Sequence, residues 1–81
     1  MKTFILFVGS HCPACATMKA NMAKAGITYD EAEINSMDGF VKGLAYWITS
    51  VPTLAVFIDG KLDSTYVGAY PVSELEKIKG R

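Results

Sequence analysis

The sequence predicts an α/β fold in which one four-stranded mixed sheet is flanked by three helices. Three observations predict it. An apolar run, Phe4-Ile5-Leu6-Phe7-Val8, is followed within a few residues by helical periodicity. A second apolar run, Thr53 to Ile58, ends at Asp59-Gly60, a dipeptide suited to the tight turn of an antiparallel hairpin. Strand and helix patterns follow one another in the order β-α-β-α-β-β-α, so the first βαβ unit is expected to be parallel and right-handed. The 81 residues are read as one domain, 1–81, near the lower limit at which a single core supports itself.

Each element has its own local reason. Phe4 to Val8 is apolar throughout rather than alternating, as a strand buried on both faces should be. Gly9-Ser10-His11 is a short loop, and Pro13 stands where the first turn of a helix tolerates a missing N–H. Cys15, Met18, Met22 and Ala25 then recur on one helical face, and Gly26 closes the helix. Ile27 to Ile34 is polar and partly alternating, the pattern of an edge strand. Asn35-Ser36 caps a second helix with apolar positions at Met37, Phe40, Val41 and Leu44, in which Gly39 and Gly43 each cost ~1 kcal/mol relative to alanine. After the strand Thr53 to Ile58 come the turn, its antiparallel partner Leu62 to Val67, and Gly68 as a strand breaker. Ser73 and Glu76 fit a capping box that opens a last helix running through Ile78.

Composition narrows the function. Hydrophobic residues make up 51% of the chain, enough for a core, and 8 basic residues balance 8 acidic ones. That balance argues against nucleic acid or an anionic membrane surface as the main partner. No apolar stretch approaches the ~20 residues of a membrane span. Met1-Lys2-Thr3 leads directly into the first strand with no signal-peptide cleavage pattern, so the expectation is a cytoplasmic protein. It is also expected to be a monomer.

Both cysteines of the chain lie in Cys12-Pro13-Ala14-Cys15, between the first strand and the first helix. A disulfide across so small a ring contributes little loop-closure entropy, so it is a poor structural staple. Thiol–disulfide exchange is the better reading, and it needs no cofactor beyond the pair itself. An unperturbed thiol, with pKa ~8.5, is mostly protonated at neutral pH. Cys12, just ahead of the helix, meets the unpaired N–H groups and positive end of the macrodipole that favour a thiolate. Cys15, one turn on and on the apolar face, is kept neutral by burial. Cys12 is therefore the expected nucleophile and Cys15 the resolving thiol, with Pro13 stiffening the turn and Ala14 leaving room beside the sulfurs. His11 has two readings: it flanks the thiolate and aids it when protonated, or it is a loop residue covering the edge of the site. A metal site is the competing reading of His11, Cys12 and Cys15, but structural zinc takes four protein ligands, and adjacent residues such as His11 and Cys12 bind one ion with difficulty. No metal is expected, although two chains could share zinc or an iron–sulfur cluster through the pair.

Beyond that tetrad, Thr49-Ser50-Val51-Pro52-Thr53, Asp59-Gly60-Lys61 and Val67-Gly68-Ala69 follow in the order and spacing of the C-terminal half of thioredoxin. With Cys12 to Cys15 they cover nearly the whole chain, which resembles the thioredoxin-like superfamily. The resemblance implies a cis Val51–Pro52 bond beside the sulfurs, a Val51 backbone that pairs with an extended substrate segment, and a Gly68 that keeps the opposite wall of the groove low. It implies disulfide-containing protein substrates and a flavoenzyme of the thioredoxin-reductase type as electron donor.

The departures concern the subfamily. Thioredoxin has Trp before its motif, Gly-Pro within it and a buried Asp six residues ahead, where this chain has His11, Pro13-Ala14 and Leu6. Proline after the first cysteine and the short length are closer to glutaredoxin, and a glutathione-coupled activity, or service to one dedicated reductase, is the alternative. Glutaredoxins, however, hold glutathione with a Gly-Gly pair followed by an acidic or hydroxyl residue, and the matching stretch here, Gly68-Ala69-Tyr70-Pro71, has no acidic side chain for the glutathione amine. Trp47 stands where thioredoxins usually have glycine; it either caps the core or joins Tyr46 and Tyr70 in an aromatic rim.

Overall fold

Strand β1 (Lys2–Val8) is the axis of the fold in the computed structural model of the chain, which describes residues 1–80. It pairs in parallel with β2 (Asp30–Glu33) and antiparallel with β3 (Thr53–Ile58), so it lies inside the sheet. That position explains its unbroken apolar run. Phe4, Leu6 and Val8 enter one core cluster and Phe7 enters a second on the other face. β3 divides in the same way, Leu54 and Val56 against Ala55 and Phe57. β4 (Lys61–Val67) completes the order β2-β1-β3-β4, the predicted four-stranded mixed sheet.

The hairpin turn adopts left-handed backbone at Asp59 (φ 51°) and Gly60 (φ 83°), as the primed two-residue turns require. Val56 faces Ser64 while Phe57 faces Leu62, so Asp63 is the extra residue of a β-bulge on the outer strand. β2 is shorter than the segment read from sequence: only Asp30 to Glu33 pairs, and Ile27 to Tyr29 form the approach to it.

Helix α1 (Pro13–Lys24) and helix α3 (Val72–Gly80) share one face of the sheet. Met18 and Met22 from α1 and Leu75 and Ile78 from α3 fill that core with Leu6 and Leu54. α1 ends in a Schellman motif: Gly26 (φ 71°) donates its N–H to the Ala23 carbonyl and Ile27 to the Met22 carbonyl. Ile27 and Met22 sit in the same core cluster, the apolar contact that usually accompanies the motif. The capping box expected at Ser73 is corrected by the structure. Ser73 lies within α3, which begins one residue earlier, and the Pro71 carbonyl accepts from Glu74 and Leu75 N–H. At the other end, the Lys2 ammonium donates to the Ile78 carbonyl at 2.6 Å, tying the end of α3 to β1.

Helix α2 (Met37–Ala45) forms where expected, capped by Ser36, whose Oγ accepts the Gly39 N–H at 3.0 Å and donates to the Glu33 carbonyl at 2.7 Å. Its orientation is the surprise. The apolar positions Met37, Phe40, Val41 and Leu44, which a periodic stripe would ordinarily bury, all face solvent. The buried positions are Gly39 and Gly43. A Cβ on Gly39 would lie 1.9 Å from the Glu33 carbonyl oxygen, and one on Gly43 would lie 2.5 Å from Ile34 Cδ1. The glycines thus bring α2 against the end of β2 with no side chain between. The second sheet face is covered instead by Ile34, Tyr46, Ile48 and Val51.

Trp47 does not cap the core. It is 88% exposed, with left-handed φ of 60° just past the end of α2. Nor does the aromatic rim assemble: Tyr46 packs edge-on against Phe57 in one cluster, and Tyr70 against Tyr66 beside the other.

Candidate active site

The sheet register brings the site together. Thr53 lies beside Phe7, so the segment Val51-Pro52 meets the chain as it leaves β1 toward the cysteines. A Cβ on Gly9 would come within 3.1 Å of Val51 Cγ2, so glycine there lets the two loops close on each other. This contact was not read from the sequence, although a glycine between a buried strand and a cysteine pair is a local signal for it.

Cys12 and Cys15 form a disulfide, with Cα atoms 5.2 Å apart. Cys12 is the N-cap of α1, and Pro13 is its first residue. The Cys12 carbonyl accepts from Cys15 N–H (3.1 Å) and Ala16 N–H (3.3 Å), which builds the first helical turn. The Cys12 Sγ also lies 3.1 Å from the Cys15 backbone N, in the position of a capping acceptor. The two sulfurs occupy different surroundings. Cys12 is half-buried, whereas Cys15 is 3% exposed and belongs to the core cluster with Leu6, Met18 and Met22. Leu6 is fully buried there, so the floor beneath Cys15 is apolar where thioredoxin has an acid.

Reduced with excess thiol and treated with limiting iodoacetamide, the protein is expected to carry its first label on Cys12. Peptide mass mapping checks this, and equal early labelling of Cys15 would contradict the difference in exposure.

The other residues singled out from sequence divide in two. Val51–Pro52 is cis, and Pro52 is buried. Its carbonyl accepts the Gly68 N–H at 2.8 Å, which joins the proline loop to the segment after β4. Gly68 has φ 98° and open space where a Cβ would stand, so this wall is low. His11, Pro13 and Ala14 are exposed at the rim, His11 with left-handed φ of 54°.

Three positioning contacts were not read from the sequence. Asn21 Nδ2 donates to the Tyr70 carbonyl at 2.9 Å, while Tyr70 N–H points at Met18 Sδ, 3.3 Å away. Together they hold the segment after Gly68 against α1. On the opposite side, Asn35 Nδ2 donates to Ser10 Oγ at 2.9 Å, linking the start of α2 to the loop before the cysteines. Among the described residues, no three His, Cys, Asp or Glu side chains gather as a metal site, and no helix is long and apolar enough to cross a membrane.

Comparison with solved structures finds this fold in thioredoxins. Thioredoxin-2 of a malaria parasite superposes with a TM-score of 0.84 at 15% identity, over 100% of this chain and 84% of the other. The thioredoxin Mala s 13 of Malassezia sympodialis gives 0.78 at 22% identity, over 98% and 73%. An N21Q mutant thioredoxin from Halobacterium salinarum gives 0.84 at 18% identity, over 95% and 70%. A search of curated proteins finds no significant match. The fold, with its helix-capping cysteine pair, is that of the thioredoxin-like superfamily. Within it, the glutaredoxin family profile matches residues 4–62, most of the chain including both cysteines, and the chain belongs to the glutaredoxin family. It is a thiol oxidoreductase with a redox-active pair at Cys12 and Cys15.

Proposed function

We propose that the chain reduces protein disulfides by dithiol exchange, with Cys12 as nucleophile and Cys15 as resolving thiol. The observation that carries this reading is the inequality of the two sulfurs: one half-exposed at a helix N-terminus and facing an N–H, the other in the core. In the reduced protein the same N–H and the helix dipole favour a thiolate on Cys12. That thiolate attacks a substrate disulfide, forming a mixed disulfide and releasing one substrate thiolate. Cys15 then attacks Cys12 Sγ, closing the intramolecular disulfide and releasing the second substrate sulfur, which takes the proton that Cys15 gives up. With Leu6 in place of an acid, the departing thiolate or water accepts that proton directly. Val51 offers its backbone to an extended substrate segment, Pro52 supports that wall, and Gly68 leaves the other side low.

On this reading the electrons come from a flavoenzyme of the thioredoxin-reductase type, and no cofactor other than the cysteine pair is required. A second reading, glutathione as the donor, is favoured by the family match itself. That match ends at residue 62, before Gly68-Ala69-Tyr70-Pro71, where an acidic side chain for the glutathione amine is lacking.

The two are separated by supplying NADPH with either thioredoxin reductase or glutathione and glutathione reductase, using insulin as the disulfide. Turnover at least tenfold faster with thioredoxin reductase is expected. Preference for glutathione would assign the donor to the second reading, and no reduction with either donor or with dithiothreitol would remove the proposal.

A further inference from the structure

Asparagine is a weak helix former because its short amide competes with the backbone, yet Asn21 stands inside α1, the helix that carries the cysteines. Its amide finds a partner outside its own helix. Asn21 Nδ2 donates to the Tyr70 carbonyl at 2.9 Å, across 49 residues of sequence. Tyr70 N–H points at Met18 Sδ, 3.3 Å away, so α1 holds both backbone groups of Tyr70. Cys15, Met18 and Asn21 follow one another at steps of three, on successive turns of α1.

Tyr70 belongs to a stretch that needs such anchors. From Gly68 to Pro71 the chain passes between β4 and α3 as neither strand nor helix, so its backbone groups draw partners from elsewhere. Gly68 N–H donates to the Pro52 carbonyl at 2.8 Å, and the Pro71 carbonyl accepts from Glu74 and Leu75 N–H at 3.1 Å each. The Tyr70 ring packs edge-on against Tyr66. Apolar packing holds a ring without fixing direction, whereas hydrogen bonds fix where the backbone runs. Of the two bonds to α1, the one from the Asn21 amide is the stronger, since a thioether is a weak acceptor.

A line of bonds thus leads from the cysteine helix to both sides of the groove: Asn21 to Tyr70, along the backbone to Gly68, and from Gly68 to Pro52. Val51 and Pro52 form one wall, and Gly68, with open space at its Cβ position, forms the other. A wall already in place binds an extended segment without further ordering, whereas a loose wall must be ordered by the substrate and weakens its binding.

We infer that Asn21 is a positioning residue for extended substrates. Acting through Tyr70 and Gly68, it holds the low wall of the groove in register with Cys12 and so favours a disulfide carried by a peptide over one carried by a single residue. The inference rests on the disulfide-exchange reading above. It adds no step to the exchange: the substrate disulfide is reduced as Cys12 and Cys15 are oxidised.

Two substrates with one leaving group test it, an extended peptide with a central cysteine and N-acetylcysteinamide, each as its mixed disulfide with thionitrobenzoate. Reduced protein is mixed with each at a series of concentrations, and release of thionitrobenzoate is followed by stopped flow. Cys12 attacks the cysteine sulfur as thionitrobenzoate leaves; Cys15 then closes the disulfide and frees that sulfur as a thiol. In Asn21→Leu the half-saturating concentration for the peptide is expected to rise about fivefold with the limiting rate unchanged, while N-acetylcysteinamide reacts as it does with the parent. Asn21→Asp, which keeps the shape of the side chain but has no N–H to give, should behave alike, and thermal unfolding checks that each variant is folded. An unchanged half-saturating concentration in a folded variant, a change confined to the limiting rate, or equal slowing of both substrates overturns the inference. Failure of both variants to fold assigns Asn21 to stability and overturns it too. In each case reduction of N-acetylcysteinamide by the parent leaves disulfide exchange standing. A parent protein that reduces neither substrate removes both.

Discussion

Cys12→Ser is expected to abolish disulfide reduction, lowering turnover at least about a thousandfold, because the one thiol left, Cys15, is buried. Cys15→Ser is expected to stop turnover differently. Its Cys12 still attacks, but the complex cannot be resolved, so the protein accumulates covalently bound to its substrate. Non-reducing electrophoresis and intact-mass measurement distinguish the two: adducts form with Cys15→Ser and not with Cys12→Ser. The expectation follows from position, since Cys12 is half-buried whereas Cys15, in the first turn of α1, is buried in the core cluster with Leu6, Met18 and Met22. Equal trapping by both variants would overturn the assignment of roles.

Gly39→Ala is expected to be the most damaging single-methyl change in α2. On helix propensity alone it should stabilise by ~1 kcal/mol. The added Cβ, however, would be placed 1.9 Å from the Glu33 carbonyl oxygen, a backbone atom that also accepts from Ser36 Oγ. Either α2 moves off β2 or the β2–α2 corner distorts, at a net cost of about 2–3 kcal/mol. For a domain of this size that lowers Tm by roughly 10–20 °C. Gly80→Ala is the matching control, because nothing lies within 4 Å of the corresponding Cβ position. Thermal unfolding of the three proteins decides the point. A Gly39→Ala variant as stable as its parent would show that the close approach is not needed.

The sheet and the cysteine site were legible in the sequence because strong local signals agree with tertiary placement. The apolar run Phe4 to Val8 reads correctly as a strand covered on both faces, and Asp59-Gly60 reads correctly as the turn that fixes the hairpin register. Cys12 and Cys15 announce the site by spacing alone, and the position of Pro13 locates the start of the helix. α2 was legible as a helix but not in its orientation. Periodicity identifies a stripe without saying which side the sheet takes, and two glycines outcompeted four large apolar residues through close backbone approach. Trp47 misled for the same reason: its size argues for burial, whereas its place just beyond α2 leaves it on the outward side. Ser73 and Glu76 have the residue types of a capping box, but the Pro71 carbonyl already accepts the first bonds of α3. Contacts such as Asn21 to Tyr70, 49 residues apart, have no local signature at all.

The Asp63 bulge has a consequence for the open borders of the sheet. A four-stranded sheet with two open borders is exposed to extended segments zipping onto it. Both open borders discourage it. On β4 the bulge breaks the regular spacing of hydrogen-bonding groups, and β2 offers only four residues, with Asp30 and Glu31 exposed upon it. A visiting strand therefore finds both borders poor templates. The same irregularity that interrupts the ladder thus guards the sheet against association edge to edge.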